Sequence, residues 1–104
     1  MSAPEPKVRV LFVCMGNICR SPTAHAVFRR KLEESGLDRL VAVDSAGTHD
    51  FHVGREPDER ASAAAQARGY SLAGIRARQV SAEDLAVHDY VLAMDATNRA
   101  MLEQ

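Results

Sequence analysis

The 104-residue sequence contains no tryptophan and has only two cysteines, three phenylalanines and two tyrosines. The two cysteines, Cys14 and Cys19, lie too close together to cross-link a domain of this size, so a disulfide-based scaffold is excluded. An excess of either charge is also lacking, because 13 Lys and Arg residues oppose 14 Asp and Glu residues. This balance is not typical of proteins that bind nucleic acid or an anionic membrane surface.

The sequence also has no apolar run near the length that a membrane-spanning helix requires. Its first residues, MSAPEPKV, lack the apolar core of a secretory signal. We therefore expect residues 1–7 to form a flexible tail and the protein to be cytoplasmic. The remaining residues, 8–104, suffice for a single compact domain.

Hydrophobic patterning predicts strands that alternate with helices. The predicted strands are KVRVLFV (7–13), LVAVDSAG (40–47) and DYVLAM (89–94). Start signals predict four helices. The first begins at Ser21-Pro22 and ends near Gly36, and the second follows Asp58 over residues 59–68. The third begins at Ser81, with Asp84 completing a capping box, and the fourth begins at Asp95. The alternation favours an α/β fold, a three-layer, doubly wound parallel sheet with helices on both faces.

The stretch VCMGNICRS places Cys14 at the carboxyl end of the first strand, directly before a helix. Ligands bind at such strand ends in parallel sheets, and N–H groups at a helix start attract anions. Gly16 permits unusual backbone angles, and Arg20 adds a planar cation that suits two phosphate oxygens. The same positive field favours the thiolate form of Cys14. A thiolate beside a phosphate site would be a nucleophile directed at phosphorus.

Other interpretations of Cys14 stay open at this point. An isolated Cys-x5-Arg pattern also arises by chance, and a cysteine that ends an apolar strand is commonly just buried. A metal half-site formed by Cys14 and Cys19 is disfavoured because no second cysteine pair follows. The preceding strand and the following Ser-Pro helix start favour the catalytic interpretation, and we expect neither a metal nor another cofactor.

The stretch VLFVCMGNICRSPTA, residues 10–24, closely resembles the phosphate-binding signature of the low-molecular-weight protein tyrosine phosphatases. Further segments resemble the same family in the same order, namely DSAGT at 44–48, HVGREPDERA at 52–61, RARQ at 76–79 and DYVLAMD at 89–95. The resemblance implies a metal-independent enzyme that hydrolyses phosphotyrosine through a cysteinyl-phosphate. Its partners would be a phosphotyrosine protein or a small aryl phosphate, with inorganic phosphate as product and inhibitor.

The resemblance assigns a role to each residue of the loop. Cys14 matches the nucleophile, and Arg20 matches the residue that holds the phosphoryl oxygens. Ser21 matches the hydroxyl that hydrogen-bonds the sulfur and helps it leave in the second step. Cys19 matches a redox partner that forms a reversible disulfide with Cys14. The expected phosphate-binding residues of the loop are Met15, Gly16, Asn17, Ile18, Cys19, Arg20 and Ser21.

Residues outside the loop match supporting positions of the family. Asn17 and Ser45 match a polar network that holds the loop, and Asp58 matches an aspartate that we interpret as a helix cap near the site. Phe51 matches an aromatic residue at the pocket wall, where stacking would select a phosphorylated ring. An apolar plug that ties down its loop is the alternative for Phe51. Two histidines of the same loop, His49 and His52, are expected to have ordinary surface roles.

The sequence departs from the family pattern in two places. Ile75 occupies the position of a histidine in the network behind the loop, so we expect the loop to be held differently. The family's general acid, in an Asp-Pro-Tyr segment, is missing because the sequence contains no Asp-Pro. Asp95 is then either a substitute acid or a helix cap. We expect the domain to be C-terminally incomplete, to lack the family's fourth strand and to be much less active than a complete member.

Two further functions compete with phosphotyrosine hydrolysis. Arsenate reductases use a similar loop in a related fold, but they relay oxidation through additional cysteines, and none follows Cys19. A phosphate- or oxyanion-binding module with little turnover belongs to a different class of protein. The missing general acid favours this module for the chain in hand.

Overall fold

The computed structural model describes residues 6–18, 20–49 and 52–94. Its strands are β1 (Val8–Cys14), β2 (Val41–Gly47) and β3 (Tyr90–Ala93), and its helices are α1 (Arg20–Glu34), α2 (Glu59–Ala67) and α3 (Ala82–Val87). Along the chain they follow the order β1, α1, β2, α2, α3, β3. The predicted strands and helices from β1 to β3 are confirmed. The predicted last helix and its cap, Asp95, lie outside the described residues.

The strands form one parallel sheet in the order β2-β1-β3. All five residues from Val10 to Cys14 of β1 are buried, as expected of a strand that is covered on both faces and paired on both edges. Cys14 pairs with Gly47 at the end of β2, and Val13 pairs with Ala93 of β3. The predicted parallel α/β fold is confirmed, and Cys14 lies at the carboxyl end of its central strand.

Side chains of β1 alternate between the two faces of the sheet. On one face the ring of Phe12 meets Phe28 of α1, with ring centroids 5.7 Å apart. α1 also packs against α2, where Ala26 and Ala65 belong to one buried cluster. The opposite face carries buried apolar side chains from β1 and β2 that pack against two partly buried valines; the members of this cluster are Leu11, Val13, Ala46, Val80 and Val91.

The starts of α2 and α3 follow their capping signals. The carboxylate of Asp58 accepts hydrogen bonds from the N–H groups of Arg60 and Ala61, 3.1 and 3.2 Å away. Ser81 and Asp84 form the predicted capping box, in which each side chain bonds the backbone of the other residue. Both caps satisfy N–H groups that a helix start otherwise leaves without partners.

The start of α1 differs from its prediction. The helix begins at Arg20, so Ser21 is not the cap but lies in the first turn, where its hydroxyl contributes to the site described below. The end follows the prediction, since α1 stops at Glu34 and Gly36 adopts a left-handed φ of 73°. α1 is 15 residues long. Within the described part of the chain, no helix is long and apolar enough to cross a membrane.

Candidate active site

The site is built around the sulfur of Cys14, a residue that is only 4% exposed. Cys14 and the residues that follow it are anchored to the rest of the domain through their backbone carbonyl groups. Three such carbonyls accept hydrogen bonds from N–H groups of the loop that follows β2 and of the N-cap residue of α2. These bonds run from Thr48 N to Cys14 O (2.9 Å), from His49 N to Met15 O (3.0 Å) and from Asp58 N to Ile18 O (2.6 Å).

Two hydrogen-bonding groups, a backbone N–H and a hydroxyl, converge on the sulfur. The backbone N–H of Asn17 donates to Cys14 Sγ at 3.3 Å, and the hydroxyl oxygen of Ser21 lies 2.9 Å from the same atom. The Ser21 oxygen accepts a hydrogen bond from the Asn17 side-chain amide at 2.8 Å, and its hydroxyl is the donor to the sulfur when the sulfur is a thiolate. The sulfur is a closer acceptor than the Ala46 carbonyl oxygen, which is 3.4 Å away. This arrangement suits a sulfur that carries negative charge.

Asn17 connects the sulfur site to the scaffold behind it. The residue is fully buried, and its side-chain oxygen accepts a hydrogen bond from the backbone N–H of Arg78 at 3.0 Å. It also adopts a left-handed φ of 57°, a conformation that asparagine tolerates better than most residues. The left-handed angle thus lies at Asn17 and not at Gly16, a residue that permits unusual backbone angles and close approach alike. Gly16 instead leaves room for His52, because a Cβ atom there would lie 2.8 Å from His52 Cδ2.

Ser45 lies behind the loop and is 2% exposed. Its hydroxyl is 2.9 Å from Nδ1 of His25, a residue of α1 to which the sequence had assigned no role. Its backbone N–H donates to the carboxylate of Asp44 at 2.8 Å. Burial lowers the pKa of His25 below 6.5, and the nearby Asp44 carboxylate only partly offsets this effect. The pair is therefore a neutral, buried hydrogen bond that ties α1 to β2.

Ile75 lies away from this polar region. It is 5% exposed and belongs to the buried cluster of Ala26, Ala65 and Leu72 between α1 and α2. The side-chain oxygen of Asn17 receives its hydrogen bond from a backbone N–H, so no side chain at position 75 is needed to satisfy that oxygen. The loop is held by main-chain groups where the family resemblance implied an imidazole.

The remaining expected site residues fall into two groups. Arg20 is exposed at the first position of α1, and Met15 is 46% exposed beside the sulfur. Ile18 is half-buried. Cys19, Phe51 and Asp95 lie outside the described residues.

Besides His25, three residues at the site were missed or undervalued by sequence reasoning. Gly47 allows β2 to approach the loop, because a Cβ atom there would lie 2.7 Å from the Met15 carbonyl oxygen. Arg78 supports both Asn17 and Gly47 through its main chain. His52, expected at the surface, packs against Gly16. The segments DSAGT and RARQ did contain Gly47 and Arg78, but only as parts of a resemblance.

Fold and site together define a parallel α/β protein with a buried cysteine between the central strand and the first helix. Residues 9–104 match the family described as low molecular weight phosphotyrosine protein phosphatase. The chain therefore belongs to this family, as its loop sequence had indicated.

Individual relatives show how far the similarity extends. The low molecular weight protein-tyrosine-phosphatase YfkJ of Bacillus subtilis is 47% identical over 91 residues, which are 88% of this chain and 58% of YfkJ. The Homo sapiens low molecular weight phosphotyrosine protein phosphatase is 44% identical over 96 residues, which are 92% of this chain and 60% of the human protein. The chain thus spans about three fifths of the length of these relatives.

Solved structures show the same partial coverage. The crystal structure of YfkJ matches with a TM-score of 0.90 at 46% identity, over 92% of this chain and 60% of YfkJ. A crystal structure described as a Drosophila arginine phosphatase matches with a TM-score of 0.85 at 38% identity, over 90% of this chain and 59% of that one.

Proposed function

We propose that the Cys14 site hydrolyses phosphotyrosine through a cysteinyl-phosphate intermediate. The observation that carries this proposal is the convergence of the Asn17 N–H and the Ser21 hydroxyl on the Cys14 sulfur. These groups and the N-terminal end of α1 would stabilise negative charge on the sulfur when it acts as a nucleophile. Membership of the phosphatase family supports the same reaction.

In the first step the Cys14 sulfur attacks phosphorus. An S–P bond forms while the bond between phosphorus and the aryl oxygen breaks, and that oxygen leaves with the bonding electrons and takes a proton from solvent water to give a phenol. Arg20, at the first position of α1, would hold two non-bridging oxygens with its planar guanidinium. Positive charge at this position would stabilise the negative charge of the phosphoryl oxygens in the transition state.

In the second step a water molecule attacks the same phosphorus. The S–P bond breaks and the electron pair returns to sulfur, while the attacking water gives a proton to solvent and inorganic phosphate is released. The hydroxyl of Ser21, 2.9 Å from the sulfur, would donate a hydrogen bond as negative charge returns to that atom. Asn17 would keep this hydroxyl in place by donating to its oxygen at 2.8 Å.

The other expected site residues would support the loop, protect the sulfur or select the substrate. Asp58 would hold the loop through its backbone bond to Ile18, and Ser45 would hold the end of β2 through His25. Cys19 is proposed as the redox partner of Cys14, and Phe51 as an aromatic wall that prefers an aryl phosphate.

Trapping the intermediate tests the mechanism. The chain is mixed with p-nitrophenyl phosphate, quenched in acid and digested, and the modified residue is located by mass spectrometry. We expect phosphate on Cys14 of the wild-type chain and none on the Cys14→Ser variant. Ser21→Ala is the informative companion, because it keeps the nucleophile but removes the donor to the leaving sulfur. It should slow breakdown of the intermediate about tenfold or more, so the trapped fraction should rise.

The outcome of trapping also separates this enzyme from a simple binding module. A wild-type chain that binds phosphate but never carries it on Cys14 would contradict the proposed hydrolysis. The substrate class needs its own comparison, since one related structure is described as an arginine phosphatase. We expect a phosphotyrosine peptide to be turned over faster than a matched phosphoarginine peptide. The reverse order would overturn the substrate assignment while leaving the cysteinyl-phosphate chemistry intact.

A further inference from the structure

Arg78 lies where the segments behind the loop meet. Its guanidinium makes two hydrogen bonds to the carboxylate of Asp84 in α3, each 2.9 Å long. A third bond of 2.9 Å reaches the carboxylate of Asp44 in β2. The planar group is therefore fixed between two carboxylates from different elements, and Asp84 is itself held in the capping box of α3.

The main chain of the same residue contacts the loop directly. The Arg78 N–H donates to the side-chain oxygen of Asn17 at 3.0 Å, and the Arg78 carbonyl accepts from the N–H of Gly47 at 2.7 Å. From Asn17, hydrogen bonds lead on to Ser21 and to the sulfur of Cys14. A short series of hydrogen bonds thus connects the backbone of Arg78 to the sulfur of Cys14.

If Arg78 contributed only to the stability of the fold, its backbone would not need to contact the loop. Exposed ion pairs contribute little, and Arg76, two residues earlier, forms such a pair with Glu56 at 2.9 Å. Both side chains of that pair are more than half exposed, at 54% and 77%. The Arg78 group instead pairs with Asp84, a residue that is only 7% exposed, and its backbone carries the bond that Asn17 needs.

We propose that Arg78 is a positioning residue of the Cys14 site, whose guanidinium, fixed between Asp44 and Asp84, sets the backbone geometry that holds Asn17 and, through it, Ser21 and the sulfur. This inference rests on the proposed function of Cys14. It assigns to Arg78 no contact with substrate. Loss of the guanidinium would let the 77–79 backbone shift, and the donors on the sulfur would then be less well aligned.

Alkylation of the thiol provides a readout that does not depend on turnover. The wild-type chain and the variants Arg78→Met, Arg78→Lys and Arg76→Met are treated with iodoacetamide between pH 5 and 9, with modification of Cys14 followed by peptide mass spectrometry. We expect Arg78→Met to slow Cys14 alkylation at pH 6 about fivefold and to weaken phosphate protection by a similar factor. Arg78→Lys keeps the charge but loses the planar fork, so its effect should be intermediate. The matched control, Arg76→Met, should behave as wild type.

Each outcome has a defined meaning. A folded Arg78→Met chain with the wild-type alkylation profile overturns the inference but leaves the proposed function standing. A wild-type chain whose Cys14 reacts like an ordinary thiol, without protection by phosphate, overturns both. If Arg78→Met does not fold, Asp44→Asn and Asp84→Asn each loosen one side of the guanidinium. Wild-type alkylation in both of these variants would again overturn the inference.

Discussion

Asn17 satisfies two requirements that few residues can meet together. Its backbone adopts a left-handed conformation with φ of 57°, which glycine would also tolerate. Its side chain also donates to Ser21 and accepts from Arg78 while fully buried, which glycine could not do. A longer amide would meet the first requirement less well, because glutamine does not share asparagine's tolerance of the left-handed region. Asparagine therefore determines both the shape of the loop and the orientation of the Ser21 hydroxyl.

Asp84 makes the stability of the domain sensitive to acid. Hydrogen bonds from Arg78 are the main cause that lowers the pKa of Asp84 from 3.8 to about 2. Because the unfolded chain then takes up this proton at a higher pH than the folded chain, the contribution is fully present above pH 3.8 and is lost as the pH falls toward 2. The shift corresponds to about 2 kcal/mol in the free energy of unfolding. Urea unfolding measured from pH 6 down to pH 2 checks this expectation.

The matched variants for this titration are Asp84→Asn and Glu83→Gln. The first removes the titrating group, so its unfolding free energy should depend less steeply on pH than that of the wild type in this window. The second changes an exposed neighbour in the same helical turn and should keep the wild-type slope. Equal slopes for wild type and Asp84→Asn would contradict the argument.

At the scale of secondary structure, the cap of α2 has a separable energetic role. The Asp58 carboxylate accepts hydrogen bonds from two N–H groups in the first turn, so Asp58→Ala should lower the free energy of unfolding by about 1 kcal/mol. Asparagine caps helices about as well as aspartate, so Asp58→Asn should lose much less. Both variants keep the backbone bond from residue 58 to Ile18. Chemical denaturation of the three chains measures the difference, and equal losses in both variants would show that charge rather than capping matters.

The elements differ in how far sequence alone predicts them. The starts of α2 and α3 were predictable because each cap and its N–H partners lie within three residues of one another. Ser21 carried the same type of signal, but its hydroxyl is engaged by Cys14 and Asn17, and the helix starts one residue earlier. A tertiary contact here outweighs a local preference.

Local sequence patterns do not predict hydrogen bonds between residues that are distant along the chain. The bond between Arg78 and Asn17 joins residues 61 positions apart, and no periodicity or spacing encodes it. The parallel sheet followed from the alternation of elements, but the order β2-β1-β3 became clear only in the structure. The loop residues around Cys14 were identified because they are contiguous, whereas the scaffold behind them is assembled from separate segments.

At the scale of the whole molecule, an oxyanion that binds only the folded chain should raise its thermal stability. At a phosphate concentration of about 100 times the dissociation constant, the gain is about 2.7 kcal/mol, which is roughly 10 to 20 °C in melting temperature for a domain of this size. Thermal unfolding is compared in phosphate and in sodium chloride of equal ionic strength. Arg20→Met should reduce the phosphate response, because it removes the guanidinium at the first position of α1. An identical melting temperature in both salts would contradict phosphate binding by the folded chain.

The three carbonyl bonds from Thr48, His49 and Asp58 have a consequence for what the loop can accept. Their oxygens are engaged by hydrogen bonds from the surrounding domain, so these three carbonyls are not available to bind a cation at the loop. The described part of the loop around Cys14 therefore favours an anion before any chemistry begins.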